Sequence, residues 1–154
     1  MDDTSPIKVL LADDDKDDCF LFKEALEEVS LATQLKVVNN GEQLMHYLTK
    51  EAVEFPNVLF LDLNMPRKNG FACLEEIKSS ENLMHIPVII FSTSYDENIA
   101  DRLFKKGAQH YICKPAEFSQ LIKIIECSLK LILKEKTSSP LKENFLLSTL
   151  KLTT

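Results

Sequence analysis

The 154-residue chain has no run of about 18 consecutive apolar residues, the length a helix needs to cross a bilayer. Its first residues, Met1, Asp2 and Asp3, are acidic where a secretory leader would be basic. A soluble, cytoplasmic protein with no membrane partner is expected. A clustered basic face is missing too: 24 acidic against 18 basic side chains leave a formal net charge of -6, which disfavours nucleic acid as a partner. The four cysteines, Cys19, Cys73, Cys113 and Cys127, lack any short paired spacing, so buried reduced thiols are expected instead of disulfides or zinc. His46, His85 and His110 show no metal-ligand spacing and are expected at the surface or half-buried.

What is present is a balanced globular composition, 45% apolar and 27% charged, enough for one ordinary domain and too little for two. Short apolar runs at 7–12, 35–38, 58–61, 87–91 and 109–112 read as strands covered on both faces. Helical patterns begin near Asp15, Gly41, Gly70, Asp96 and Glu117. Asp15 can cap the first helix, Ser94 with Glu97 has capping-box spacing before the fourth, and Asn69-Gly70 closes the loop before the third. Strand-helix alternation of this kind predicts an α/β fold with a five-stranded parallel sheet and five helices.

The fifth helix carries a core stripe of Phe118, Leu121, Ile122, Ile125, Leu129 and Ile132, and a second apolar stripe of Ile124, Cys127 and Leu131. After Glu135, Lys-Thr-Ser-Ser-Pro reads as a linker. Residues 141–152, with Leu141, Phe145, Leu146, Leu147, Leu150 and Leu152, read as a short amphipathic helix or strand. This tail is expected to pack on the second stripe of helix five, in the same chain or in a second copy. A domain at 6–134 and a carboxyl-terminal extension at 135–154 follow.

In an open parallel α/β sheet, ligands bind beyond the carboxyl ends of the strands, where strand order switches direction. Asp13, Asp14 and Asp15 follow strand one, Asp62 follows strand three, Ser92 and Thr93 follow strand four, and Lys114-Pro115 follows strand five. Three carboxylates brought within about 4 Å of one another repel by a few kcal/mol per pair at an effective dielectric near 20. A cation is therefore expected among them. Magnesium suits the set, because it prefers a few hard oxygen ligands and binds phosphoryl oxygens. A carboxylate beside such a cation and a lysine can attack a phosphoryl group, since the positive charges neutralise the transferring oxygens. Asp62 is the best-placed nucleophile.

The order Asp13-Asp14, Asp62 within Asp-Leu-Asn-Met-Pro-Arg-Lys-Asn-Gly, Ser92, Tyr111 and Lys114-Pro115 resembles the receiver domain of two-component response regulators. The wording around Asp62 is most similar to the small stand-alone receivers that serve bacterial phytochromes. The resemblance implies a flavodoxin-like sheet of strand order 2-1-3-4-5. It implies that Asp62 accepts a phosphoryl group from a kinase histidine or a phosphotransfer protein, and that Asp13, Asp14, Asp62 and the Asn64 backbone carbonyl hold Mg2+. Ser92, where the family more often has threonine, and Lys114 would contact the phosphoryl group, with Lys114-Pro115 a cis peptide. Tyr111 would move inward when Ser92 is drawn to the phosphate, and the surface of helix four, strand five and helix five would report it. A homodimer through helices four and five and the tail would be one form of readout.

The resemblance implies a switch that catalyses its own phosphorylation and dephosphorylation, not a turnover enzyme. A phosphatase of the haloacid dehalogenase type would want an aspartate two positions after the nucleophile, where Asn64 stands. A receiver that docks a partner without phosphate would not need the full set of residues. No output domain follows residue 134, so the readout is expected to be a contact.

Overall fold

The structure, a computed structural model, describes residues 5–135 and 142–148. Met1, Asp2 and Asp3, the Lys-Thr-Ser-Ser-Pro linker, Leu141, Leu150 and Leu152 lie outside the described residues. The elements run β1 (Ile7–Ala12), α1 (Lys16–Glu28), β2 (Thr33–Val38), α2 (Gly41–His46, continued by a π turn over Tyr47–Glu51), β3 (Val58–Leu61), α3 (Gly70–Ser79), β4 (Val88–Ser92), α4 (Glu97–Lys105), β5 (His110–Cys113), α5 (Phe118–Lys134) and β6 (Leu146–Leu147). All strand pairs are parallel, in the order β2-β1-β3-β4-β5-β6. This is the expected flavodoxin-like doubly wound sheet with one strand more than the five expected.

The inner strands are covered on both faces, and the edge is not. β3 and β4 are buried at every position, whereas the edge strand β2 alternates half-buried and exposed side chains. That alternation explains why β2 begins at Thr33, two residues before its apolar run. One face packs Leu10, Leu59, Leu61 and Ile90 against Leu44, Leu74, Ile77 and Leu103 of α2, α3 and α4. The other packs Val9, Phe60, Ile89 and Phe91 against Phe22 and Leu26 of α1 and Leu121, Ile125 and Leu129 of α5. Phe22, Phe60 and Phe91 meet edge to face at centroid separations of 5.0 to 6.0 Å, an arrangement favoured by the ring quadrupoles. Of the expected α5 core stripe, Phe118 is exposed in the first turn, and Ile124 and Ser128 are buried instead.

Four helix starts are capped by side chains, and at the first three Asp15 accepts from Asp18 N–H, Asn40 from Gln43 N–H, and Asn69 from Ala72 N–H. At α4 the expected Ser94 capping box is not formed. Asp96 is the cap, accepting from Ile99 N–H at 3.1 Å, and the Ser94 carbonyl accepts the Tyr111 hydroxyl. The free thiols include one fully buried cysteine, Cys73, while Cys19, Cys113 and Cys127 are half-buried. His46 and His85 are exposed, as expected, but His110 is completely buried. A carboxylate and a carbonyl inside the fold satisfy its two ring nitrogens, so no metal or solvent contact is needed.

Among the described residues of the tail, Leu146–Leu147 form a strand. β6 extends the sheet beyond β5, with Tyr111 opposite Leu146 and Ile112 opposite Leu147, and Tyr111 N–H donates to Phe145 O at 2.9 Å. Leu147 joins the layer that includes Ile124 and Leu131, the stripe expected to receive it, whereas Phe145 turns to the opposite layer. Among the described residues no helix is long and apolar enough to cross a membrane.

Candidate functional site

Strand order reverses at β1, which has β2 on one side and β3 on the other, so the crevice beyond the carboxyl ends of β1 and β3 is the topological switch point. Asp13 leaves β1 there, its N–H bonded to Val38 O at 3.1 Å, and Asp62 leaves β3, its N–H bonded to Ala12 O at 3.0 Å. The parallel ladder thus fixes both backbones before any side chain is considered. Asp13, Asp14 and Asp62 each turn a carboxylate oxygen into one space, all within 4.8 Å of one another. Asp13 and Asp62 are buried while Asp14 is exposed. A set of hard oxygen donors open to solvent on one side fits a hard divalent cation, and the residues present therefore suit the metal that the strand-end pattern implies.

Lys114 reaches this cluster from the end of β5, where its N–H bonds Ser92 O at 2.7 Å. The ammonium donates to Asp13 Oδ2 at 2.7 Å and to Asp18 Oδ2 at 2.8 Å, and lies 5.5 Å from the centre of the Phe91 ring. Burial pulls the Lys114 ammonium down, but its hydrogen bonds to Asp13 and Asp18 outweigh this and hold it above the ordinary lysine value. Burial also pushes the Asp62 carboxyl up to about 6, with Lys114 opposing that rise and Asp13 and Asp14 adding to it. Asn64 N–H points to Asp62 Oδ1 at 3.5 Å, a long contact that orients the loop after β3.

Ser92 closes β4 almost fully buried, and its Oγ has no hydrogen-bond partner. A buried hydroxyl left unpaired costs about 1–3 kcal/mol, so an orphan at this place points to an absent oxygen acceptor. The Tyr111 hydroxyl donates to the Ser94 carbonyl and lies close enough to Ser92 for the serine hydroxyl to act on it. The Tyr111 ring is buried between Tyr95 and Phe145, at centroid separations of 5.3 and 6.3 Å. The peptide before Pro115 is trans, contrary to the expected cis bond. Trans is the lower-energy form of an X-Pro bond by about 0.5–1 kcal/mol, and Lys114 reaches both acids from it.

Three supporting residues escape a motif-based reading. Asp18 looks like a dipole-compensating acid in the first turn of α1, yet it also pairs with Lys114; its position four residues after Asp14 puts it on the same side of the helix start. Asn39 follows β2 and donates from Nδ2 to Asp13 O at 3.2 Å, a residue that inspection of the end of strand two would have found. Gly70 packs on the backbone of the site: a Cβ there would lie 2.4 Å from Asp62 O and 2.8 Å from Leu63 Cα. Only hydrogen fits.

Residues 9–126 match the family described as the response regulator receiver domain. The chain belongs to that family. As a receiver-domain response regulator it is a component of two-component signalling. It is 31% identical over 131 residues to the response regulator Rcp1 of Synechocystis sp., covering 81% of this receiver and 88% of that protein. A probable methanogenesis regulatory protein, FilR2 of Methanothrix harundinacea, is 27% identical, with 79% and 80% covered. Among solved structures, the phosphorylated cyanobacterial phytochrome response regulator RcpA superposes with a TM-score of 0.77 at 33% identity, covering 89% of this receiver and all of that chain. The Mn(2+)-bound form of Rcp1 superposes with a TM-score of 0.73 at 28% identity, covering 88% and 100%.

Proposed function

We propose that this receiver accepts a phosphoryl group on Asp62 from the histidine of a sensor kinase or phosphotransfer protein, with Mg2+ held by Asp13, Asp14, Asp62 and the Asn64 carbonyl. The observation that carries this reading is the convergence of three carboxylates at the switch point, with the Lys114 ammonium bonded to one of them. An Asp62 carboxylate oxygen attacks phosphorus; the N–P bond of the phosphohistidine breaks as the O–P bond forms, and the departing imidazole nitrogen takes up a proton from solvent. When bound, the cation neutralises charge on the phosphoryl oxygens. Asp13 and Asp14 would hold it beside Asp62, and Lys114, bonded to Asp13, brings a second positive charge to the cluster. The Ser92 hydroxyl gains in the phosphoryl oxygen the acceptor it lacks. With Ser92 engaged, the segment to Ser94 is drawn toward Asp62, and Tyr111 follows through its bond to the Ser94 carbonyl.

On this reading the protein is a switch, not a turnover enzyme, and its message leaves through the surface of α4, β5 and α5. The likeness to RcpA and Rcp1 supports a phytochrome-like kinase as the phosphoryl source. Incubation with acetyl phosphate and Mg2+ tests the chemistry. An acid-stable, base-labile adduct that is lost in Asp62→Asn is expected. Failure to form it, or an adduct that survives the substitution, would overturn the reading.

A further inference from the structure

The chain's own tail sits on the face through which the switch would speak. Phe145 is buried against Phe104 of α4, at 5.3 Å between ring centres, and against the edge of Tyr111. Its carbonyl accepts the Tyr111 backbone N–H, so the same residue grips both the ring and the peptide of Tyr111. A second anchor lies one residue earlier. His110 is wholly buried, and its Nδ1 meets Asn144 O at 3.0 Å while its Nε2 meets Glu135 Oε1 at 2.7 Å. One imidazole thus ties the end of α5 to the turn that leads into β6.

We propose that β6 is a built-in ligand of the switch: docking of residues 144–147 and phosphorylation of Asp62 strengthen each other through Tyr111. The inference rests on the proposed function, because the phosphoryl group enters only through Ser92. Its physical basis is shared dependence on one ring. With Tyr111 buried, Phe145 has two aromatic neighbours; if the ring swings away, Phe145 loses one of them and the strand is held less tightly. The same buried position keeps the Tyr111 hydroxyl on the Ser94 carbonyl, two residues from the Ser92 hydroxyl that awaits its acceptor. Two ligands that favour one arrangement of a protein must favour each other by the same factor.

The test uses the full-length chain with Mg2+ and beryllofluoride as the phosphoryl mimic. Hydrogen exchange at the Tyr111 amide reads tail docking directly, since that N–H bonds Phe145 O. Saturating beryllofluoride is expected to slow this exchange about five- to tenfold, and Phe145→Ala to weaken beryllofluoride binding by the same factor. Phe145→Leu, which keeps an apolar strand but loses the ring contact, should show the same direction with a smaller change. Equal beryllofluoride affinity in native and Phe145→Leu chains, with Tyr111 exchange indifferent to the mimic, would show β6 to be an inert edge cover. A native chain that binds no beryllofluoride would remove the proposed function itself, and the inference with it. The exchange measurement needs no variant, so a poorly folding Phe145→Ala does not block the decision.

Discussion

Asp18, one turn into α1, accepts a hydrogen bond from the Lys114 ammonium at 2.8 Å while Asp13 accepts another from the same ammonium at 2.7 Å. Lys114 is thus balanced between the metal-side acid and a bystander carboxylate. Asp18→Asn removes one negative charge from the surroundings of the cluster. Magnesium binding should weaken about two- to fivefold, since a partly exposed ion pair contributes roughly 0.5–1 kcal/mol. Titration calorimetry of the two proteins checks this, and tighter binding in the variant would contradict it.

The Asp62 carboxyl stands at about 6 in the fold against 3.8 for a free aspartate, so the metal-free folded chain binds more protons than the unfolded one between these values. The contribution of this group to stability is therefore full below about pH 4 and is lost as pH rises through about 6. Replacing the charge in Asp62→Asn should stabilise the metal-free protein above pH 7 by about 1–3 kcal/mol and leave it nearly unchanged near pH 4. Urea denaturation across pH, with chelator present, gives the comparison. Divalent ions compete with that proton, so their binding should strengthen as pH rises through 6.

Gly70→Ala forces a methyl to within 2.4 Å of Asp62 O and 2.8 Å of Leu63 Cα, backbone atoms that cannot step aside alone. A loss of about 1–3 kcal/mol in denaturant unfolding is expected, together with slower labelling by acetyl phosphate because the strand end carrying Asp62 must shift. Normal labelling in a destabilised variant would separate the two effects and refute the second.

Ser92→Ala is expected to move stability and signalling in opposite directions. The native hydroxyl is buried and unpaired, so its removal should stabilise the resting protein by up to about 1 kcal/mol. Phosphorylation of Asp62 should stay measurable, while exchange at the Tyr111 amide stops responding to beryllofluoride. A variant that still transmits the mimic to Tyr111 would place the coupling elsewhere.

The fold was readable because parallel strands buried on both faces are written as apolar runs, as at Val58–Leu61 and Val88–Ser92. The edges were less readable. β2 begins at Thr33 because an edge strand can afford polar residues, and β6 is two residues long, below any periodicity that a sequence displays. At the site, placements fixed by a strand end were readable: Asp13, Asp14 and Asp62 share one space and Lys114 bonds Asp13. Asp18 and Gly70 were not, since their roles arise from which element packs on which. His110 was misjudged because its partners, Glu135 and Asn144, are distant in sequence and supply the polarity its burial needs.

The sixth strand also decides how the molecule behaves in company. A parallel sheet ending at β5 would offer that strand's open N–H and C=O row to any extended chain. Capping it with Leu146–Leu147 leaves a rim only two residues long, too short to seed further strand pairing. On that side a second copy finds little backbone to pair with, and the six-residue β2 is left as the longer open edge of the sheet.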